Sequence, residues 1–266
     1  MGRFPTPILN SNEPCEFQGK KIKIMNNTRR IKMLIGAMTL AAVGAAGYAT
    51  AVNHTLHPYF ALAVLALAAV TSRMKVKLPG INGNMSVNLP FLLMAVVNLS
   101  AAEAIVVTCV STAVQCWPRK STKFNPQQMT FNVSMMAFAS CLASLTFHAE
   151  WLRAMQWSSM TLGLVLATAT LFLGQTAPVA AIIGLSEGKA AGPIWQSLAQ
   201  LSFPYYVLSA GVISMVQTVS SHMGWQLALA VFPVMYGIHR SYQMYFGAAA
   251  ETPRTEVLVR AAGAGR

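Results

Sequence analysis

The chain contains no aspartate, and all seven of its acidic residues are glutamate. Without Asp it lacks the carboxylate that commonly holds magnesium at phosphoryl-transfer sites. No GxSxG elbow, HExxH pair or P-loop stands in its place. These absences argue against the common hydrolase, zinc-protease and nucleotidase classes and point to a non-enzyme with no cofactor. Charge of either sign is also scarce, at 10% of 266 residues, where an average soluble domain carries about 25%. So few charges cannot cover a water-facing surface, and a lipid-facing exterior accounts for the deficit. The four cysteines, Cys15, Cys109, Cys116 and Cys141, form no CxxC spacing. Three of them lie in apolar stretches, where a Cys behaves as a small core residue, so neither a disulfide framework nor a metal site is expected. His54 and His57, without carboxylates nearby, make a weak metal signal. There is no low-complexity run and no internal repeat.

What is abundant is apolar sequence: 55% of residues are hydrophobic and the mean hydropathy is +0.49. The apolar runs predict an all-α, polytopic transmembrane helix bundle with helices over 33–52, 58–72, 85–99, 101–117, 129–147, 159–185, 203–220 and 225–242. Residues 1–32 read as a basic cytoplasmic arm, 33–246 as the transmembrane domain and 247–266 as a flexible cytoplasmic tail. A bilayer span needs about 20 apolar residues, and the second, third and fourth runs are short by that measure. Ala49-Thr50-Ala51 looks like a signal-peptidase site, but the charged arm before it is much longer than a usual n-region, so a retained helix is expected.

The net charge of +12 would suggest nucleic acid in a soluble protein. Here the basic residues cluster between apolar runs, which points to lipid headgroups and topology, with no nucleic-acid partner. With eight crossings and a cytoplasmic N-terminus, 18 of the 19 Lys and Arg residues fall on the cytoplasmic side, and only Arg153 does not. The sequence is therefore expected to sit in the inner membrane as a multi-pass protein with both termini cytoplasmic. A re-entrant hairpin over 85–117 would leave the same charge pattern, so eight crossings and six plus a re-entrant pair both remain open.

Candidate ligand-binding residues come from polar side chains in apolar surroundings. The segment Lys77 to Pro90, punctuated by Pro79, Gly80, Gly83 and Pro90, can turn sharply and line a pocket; it contributes Asn82, Ser86 and Asn88. Its plainer reading is a turn and N-cap. Asn98 and Glu103 sit at the tip of the short hairpin. Glu103 either caps the fourth helix or, in a re-entrant hairpin, lies at membrane depth as a functional charge. Asn132, Gln175 and Thr176 fall inside apolar helices, as does Gln115, and they serve either as interhelical glue or as cavity lining. Pro178 predicts a kink beside Gln175 and Thr176. Phe203-Pro204-Tyr205-Tyr206 reads as an interface anchor at a helix start, and Trp151, Trp157 and Trp225 as the opposite aromatic belt.

The run Val76–Val87 with its VKLPGxxGxxSV core, followed by Ala102-Glu103-Ala104 and Val114-Gln115-Cys116-Trp117, resembles bacterial membrane-associated sensor (MASE-type) modules. So do Phe131-Asn132-Val133-Ser134, Ala177-Pro178-Val179-Ala180, Glu187-Gly188-Lys189, Phe203 to Tyr206, Gly224-Trp225-Gln226 and Arg240-Ser241-Tyr242. The resemblance covers roughly residues 57–246. It implies a signal-input role, normally ahead of a cytoplasmic output domain. The short tail after the eighth predicted helix leads to the expectation that no output domain is present, and Asn84 and Asn88 stand where the pattern has Thr and an aromatic residue. The resemblance thus implies a sensor or adaptor working through a separate cytoplasmic signalling protein, unless that role has been replaced. The short helices and the LPG-then-Ser-Val segment are also similar in pattern to the substrate-capturing subunits of energy-coupling-factor transporters, which implies a small-molecule transport component. A structural subunit docking other membrane subunits through its basic arm and tail is the third expectation.

Overall fold

Long runs of apolar residues without an internal breaker have one stable form in hydrocarbon: the helix, which satisfies every backbone amide within itself. The computed structural model of the chain describes residues 13–52, 56–77, 84–118, 124–153 and 159–223, with isolated helical positions between 233 and 241. Among these, helices α1 (Glu13–Val52) and α2 (Pro58–Ser72) are followed by two three-residue strands, β1 (Lys75–Lys77) and β2 (Asn84–Ser86). Then come α3 (Leu89–Asn98), α4 (Ala101–Cys116), α5 (Pro126–Phe147), the single turn α6 (Glu150–Arg153), α7 (Ser159–Glu187) and α8 (Ala191–Met223). The fold is predominantly helical, and four helices are long and apolar enough to cross a membrane.

Three boundaries differ from the sequence expectation by more than three residues. Helix α1 begins at Glu13, so the second half of the expected arm is helical; Pro14 sits at its start, where a missing N–H does no harm. The expected helix over 85–99 is a strand followed by a half-length helix. β1 and β2 pair antiparallel, with Val76 opposite Met85, and α3 starts at Leu89 with Pro90 in its first turn. Helix α8 begins at Ala191, a full three turns before the expected start at 203. Gly188, at φ 68°, ends α7 in the left-handed conformation that glycine adopts without strain. Pro193 then fits the first turn of α8, and Pro204 is carried inside it. The eighth expected segment, 225–242, lies almost wholly outside the described residues. Seven helices of ten residues or more are therefore described where eight were expected.

Helix α3 explains the packing. Its sequence, LPFLLMAVVN, has no polar face, and nine of its ten residues are buried. A helix that is apolar all round belongs in an interior, and α3 is packed by α2, α4, α5, α7 and α8. At about 1.5 Å per residue it is about 15 Å long, half the thickness of a bilayer core of about 30 Å.

Sparse polar contacts set the register of the outer helices. Thr108 and Ser140 meet at 3.0 Å between α4 and α5, and the Asn132 amide donates to Cys116 Sγ at 3.3 Å between the same helices. Both pairs are eight residues apart on their helix, as antiparallel neighbours require. Ser134 donates to Thr39 at 3.3 Å between α5 and α1. Between α3 and α8, the Gln217 amide donates to Asn98 Oδ1 at 2.8 Å. The bonds order the helix levels: α2 and α4 run from the tip of the α3–α4 hairpin toward the end that carries Lys32, Arg73 and Lys189. That end is called the basic end below.

Helices α5 and α7 approach most closely at Gly174, where an added Cβ would lie 2.8 Å from the Ala139 Cβ. Gly174→Val is expected to lower stability by about 1–3 kcal/mol through overpacking. Gly211→Ala, with nothing within 4 Å of the new methyl, is expected to be neutral or slightly stabilising. Thermal unfolding of the two purified variants in detergent checks the contrast.

Candidate functional site

Because α3 begins half-way along the bundle, the helices that enclose it face one another across a hollow on the basic side of its first turn. This hollow is a cavity of about 690 Å³, within the 300–1,000 Å³ range usual for small-molecule sites. Its inner end is formed by Asn88, Leu89 and Leu92 at the start of α3, with Thr112 and Gln115 of α4. Phe131, Asn132 and Met135 of α5 form one wall. Gln175, Thr176 and Val179 of α7 face Tyr205 and Tyr206 of α8. Gln127, Gln128, Ser186 and Glu187 border the mouth at the basic end.

The α4 contribution follows from helical spacing. Thr108, Ser111, Thr112 and Gln115 fall at i, i+3, i+4 and i+7, one stripe of an otherwise apolar helix. Ser111 is fully buried and works as a relay: it accepts from the Asn88 side chain at 2.8 Å and donates to the Ala68 carbonyl at 3.1 Å. This ties the start of α3 to α4 and α2 at one level. The first backbone amides of α3 are already committed. Leu89 N–H donates to Tyr205 Oη at 3.3 Å, and Phe91 N–H donates to the Asn88 carbonyl at 3.0 Å. Pro90 has no N–H to offer.

On the α7–α8 side, Tyr206 donates its hydroxyl to Gln175 Oε1, and its ring packs edge-on against Phe172 with centroids 5.0 Å apart. Trp195 Nε1–H donates to Thr176 Oγ1 at 3.1 Å, while that hydroxyl donates to the Phe172 carbonyl at 2.7 Å. Glu187 at the mouth is held by Lys189 at 2.7 Å. Among the described residues no three metal-ligating side chains come together.

Four of the eight sequence candidates therefore meet in this cavity: Asn88, Asn132, Gln175 and Thr176. Two others lie at the opposite end of the bundle, away from it. Asn98 is engaged by Gln217 and by the Met94 carbonyl. Glu103, only 8% exposed, forms a capping box with Ser100 at the start of α4. Its second oxygen accepts the His57 N–H at 2.6 Å, which joins the start of α2 to the hairpin tip. Ser86 lies in β2 with its backbone paired to Lys75, and Asn82 lies outside the described residues. Tyr205 and Tyr206, expected as interface anchors, are each only 4% exposed and sit inside α8. The earlier start of α8 is what moves them from a helix end to the cavity wall. Thr112, Ser111 and Tyr205 are site residues that the sequence candidates missed; the polar stripe on α4 was the signal for the first two.

Comparison with family models, with curated proteins and with solved structures finds no match to this chain.

The two groups of polar residues are expected to behave differently. Glu103→Ala removes a cap and orphans the His57 amide, and it is expected to cost about 1–2 kcal/mol. Asn132→Leu gives up one bond to a weak sulfur acceptor and is expected to cost less than about 1 kcal/mol. Thermal midpoints in detergent, measured side by side, check the order.

Proposed function

We propose that this chain is a multi-pass inner-membrane component that binds a small molecule, and that it serves transport. The observation that carries this reading is the cavity, a half-open hollow within the bundle lined by Asn88, Thr112, Asn132, Gln175 and Tyr206. A helix bundle that had only to span a membrane would fill that space with side chains, as α3 does on the far side. The clustering of Lys and Arg at the basic end supports a cytoplasmic mouth and cytoplasmic termini. The Glu103–His57 bond supports eight crossings, the third of them broken. It holds the hairpin tip level with the start of α2, while Val87 N–H bonds the Met74 carbonyl just past the end of α2, so α3 covers the same depth as α2.

A sensor module acting on a separate cytoplasmic protein is the second reading, consistent with the sequence resemblance. It is favoured by the continuity of α1, whose 40 residues carry one helix from the basic arm through the apolar segment. A continuous helix can pass a change in bundle packing to a partner.

Two measurements test the proposal. Small molecules released from the natively purified protein are compared by mass spectrometry with those from a Gln175→Leu, Asn132→Leu double variant. A species held by the native chain and lost in the variant is expected, and identical profiles would sink the binding reading. In a background lacking native cysteines, Gln128→Cys is expected to react with a membrane-impermeant maleimide in inside-out vesicles but not in intact cells. The reverse pattern would overturn the orientation. Recovery of a stoichiometric signalling partner with no captured small molecule would favour the sensor.

A further inference from the structure

The inner end of the cavity specifies a chemical class of ligand. Among the described residues five helical threonines are buried: Thr71, Thr108, Thr112, Thr168 and Thr176. Four of them donate to the carbonyl four residues earlier, at Leu67, Ala104, Leu164 and Phe172. This is the usual way for a helical Thr to satisfy its hydroxyl. Thr112 is the exception. It is 3% exposed, it lines the cavity, and among the described residues its hydroxyl has no hydrogen-bond partner. A buried hydroxyl left without a partner is unfavourable, and Thr112 borders the cavity, where a ligand could supply one.

The neighbouring side chains are half-used in complementary ways. Asn132 spends its amide N–H on Cys116 Sγ, and among the described residues nothing donates to its carbonyl oxygen. Gln175 spends its carbonyl oxygen on the Tyr206 hydroxyl, and among the described residues its amide N–H groups have no acceptor. The cavity therefore offers a carbonyl acceptor from α5, an amide donor from α7, and a hydroxyl from α4 that can do either.

Among the described residues, charge is missing from the same space: no Lys, Arg or His lines the cavity, and the one carboxylate there, Glu187, is at the mouth and paired with Lys189. The amides at the start of α3, which could otherwise hold an anion, are committed to Tyr205 and Asn88. An ion of either sign would leave water there without a counter-charge. Around these groups the lining includes the apolar and aromatic side chains Leu92, Phe131, Met135, Val179 and Tyr206, with the uncharged Gln115 at the inner end.

We infer that the cavity selects a small uncharged molecule bearing a hydrogen-bond donor and an acceptor on a flat apolar body, such as a carboxamide, a lactam or a neutral heterocycle, held by Thr112, Asn132 and Gln175. This deepens the small-molecule reading and rests on it. Helices α4, α5 and α7 each supply one polar contact, so a ligand that satisfies all three bridges three separate walls.

Three probes of one shape and different charge test the class: nicotinamide, its anionic counterpart nicotinate, and the cationic 1-methylnicotinamide. Binding to the full-length protein in nanodiscs is read by saturation-transfer NMR. Nicotinamide is expected to bind at least about tenfold more tightly than either ion. Thr112→Val and Gln175→Leu are each expected to weaken it, while Thr146→Val, outside the cavity lining, leaves it unchanged. Thr112→Val is close to isosteric, and with the unpartnered hydroxyl gone it is expected to raise the thermal midpoint of the ligand-free protein while weakening binding, a pair of effects that misfolding cannot produce. Equal or tighter binding of an ion, with the loss in Gln175→Leu retained, would overturn the ligand class and leave the cavity as a binding site. Binding undiminished in both cavity variants, or absent for all three probes, would also overturn the class; the captured-molecule comparison above judges the cavity separately.

Discussion

A helix of ten residues reaches only about half-way through hydrocarbon, and the architecture of this protein follows from that shortfall. Helix α3 is apolar on every side and so must be enclosed. Five neighbours wrap it, and they continue past its start. The part of the chain that precedes α3 is strand and turn, which cannot fill the same cross-section as a helix. A hollow is left at the first turn of α3, bordered by polar side chains from α4, α5 and α7. The cavity is thus a by-product of where Pro90 and Asn88 set the helix start.

The bundle is held in register by few polar bonds, each modest. Hydrogen bonds between helices in a membrane contribute about 0.6 kcal/mol on average, so Thr108–Ser140 and Gln217–Asn98 specify alignment more than they stabilise. Close packing supplies the rest, most tightly at Gly174 against Ala139. Glu103 is the largest polar investment. One carboxylate receives the Ser100 and His57 amides and the Ser100 hydroxyl, and it fixes the hairpin tip against the start of α2. Its burial is structural, and the charge stands at the end of the bundle away from the cavity.

Much of this was legible from residues alone. The apolar runs predicted α1, α2, α4, α5 and α7 closely at their apolar ends, because in lipid the length of an apolar run and the end of a helix have the same cause. The start of α3 was not legible. Met85 to Val87 count as apolar whether they lie in a helix or a strand, and only pairing with Lys75–Lys77 decides. The start of α8 was hidden by Gly192, Pro193 and the polar Gln196, Ser197 and Gln200, which read as a loop although a helix beyond the apolar core tolerates them. At the site, Asn132 and Gln175 stood out because a carboxamide in an apolar helix needs an outside partner. Thr112 did not, since a helical threonine ordinarily satisfies itself on its own backbone. Its exceptional status exists only in three dimensions.

The enclosure of α3 also bears on how the protein is made. A ten-residue apolar stretch is too short to span a bilayer by itself, so α3 depends on the helices around it for its place. Its burial is then completed by chain that emerges later: Asn98 waits for Gln217, 119 residues downstream. Until α8 is synthesised and docked, the central helix of the finished protein is exposed on one flank. Truncation or late arrest of translation would therefore leave the most hydrophobic element uncovered, the condition in which membrane quality control acts.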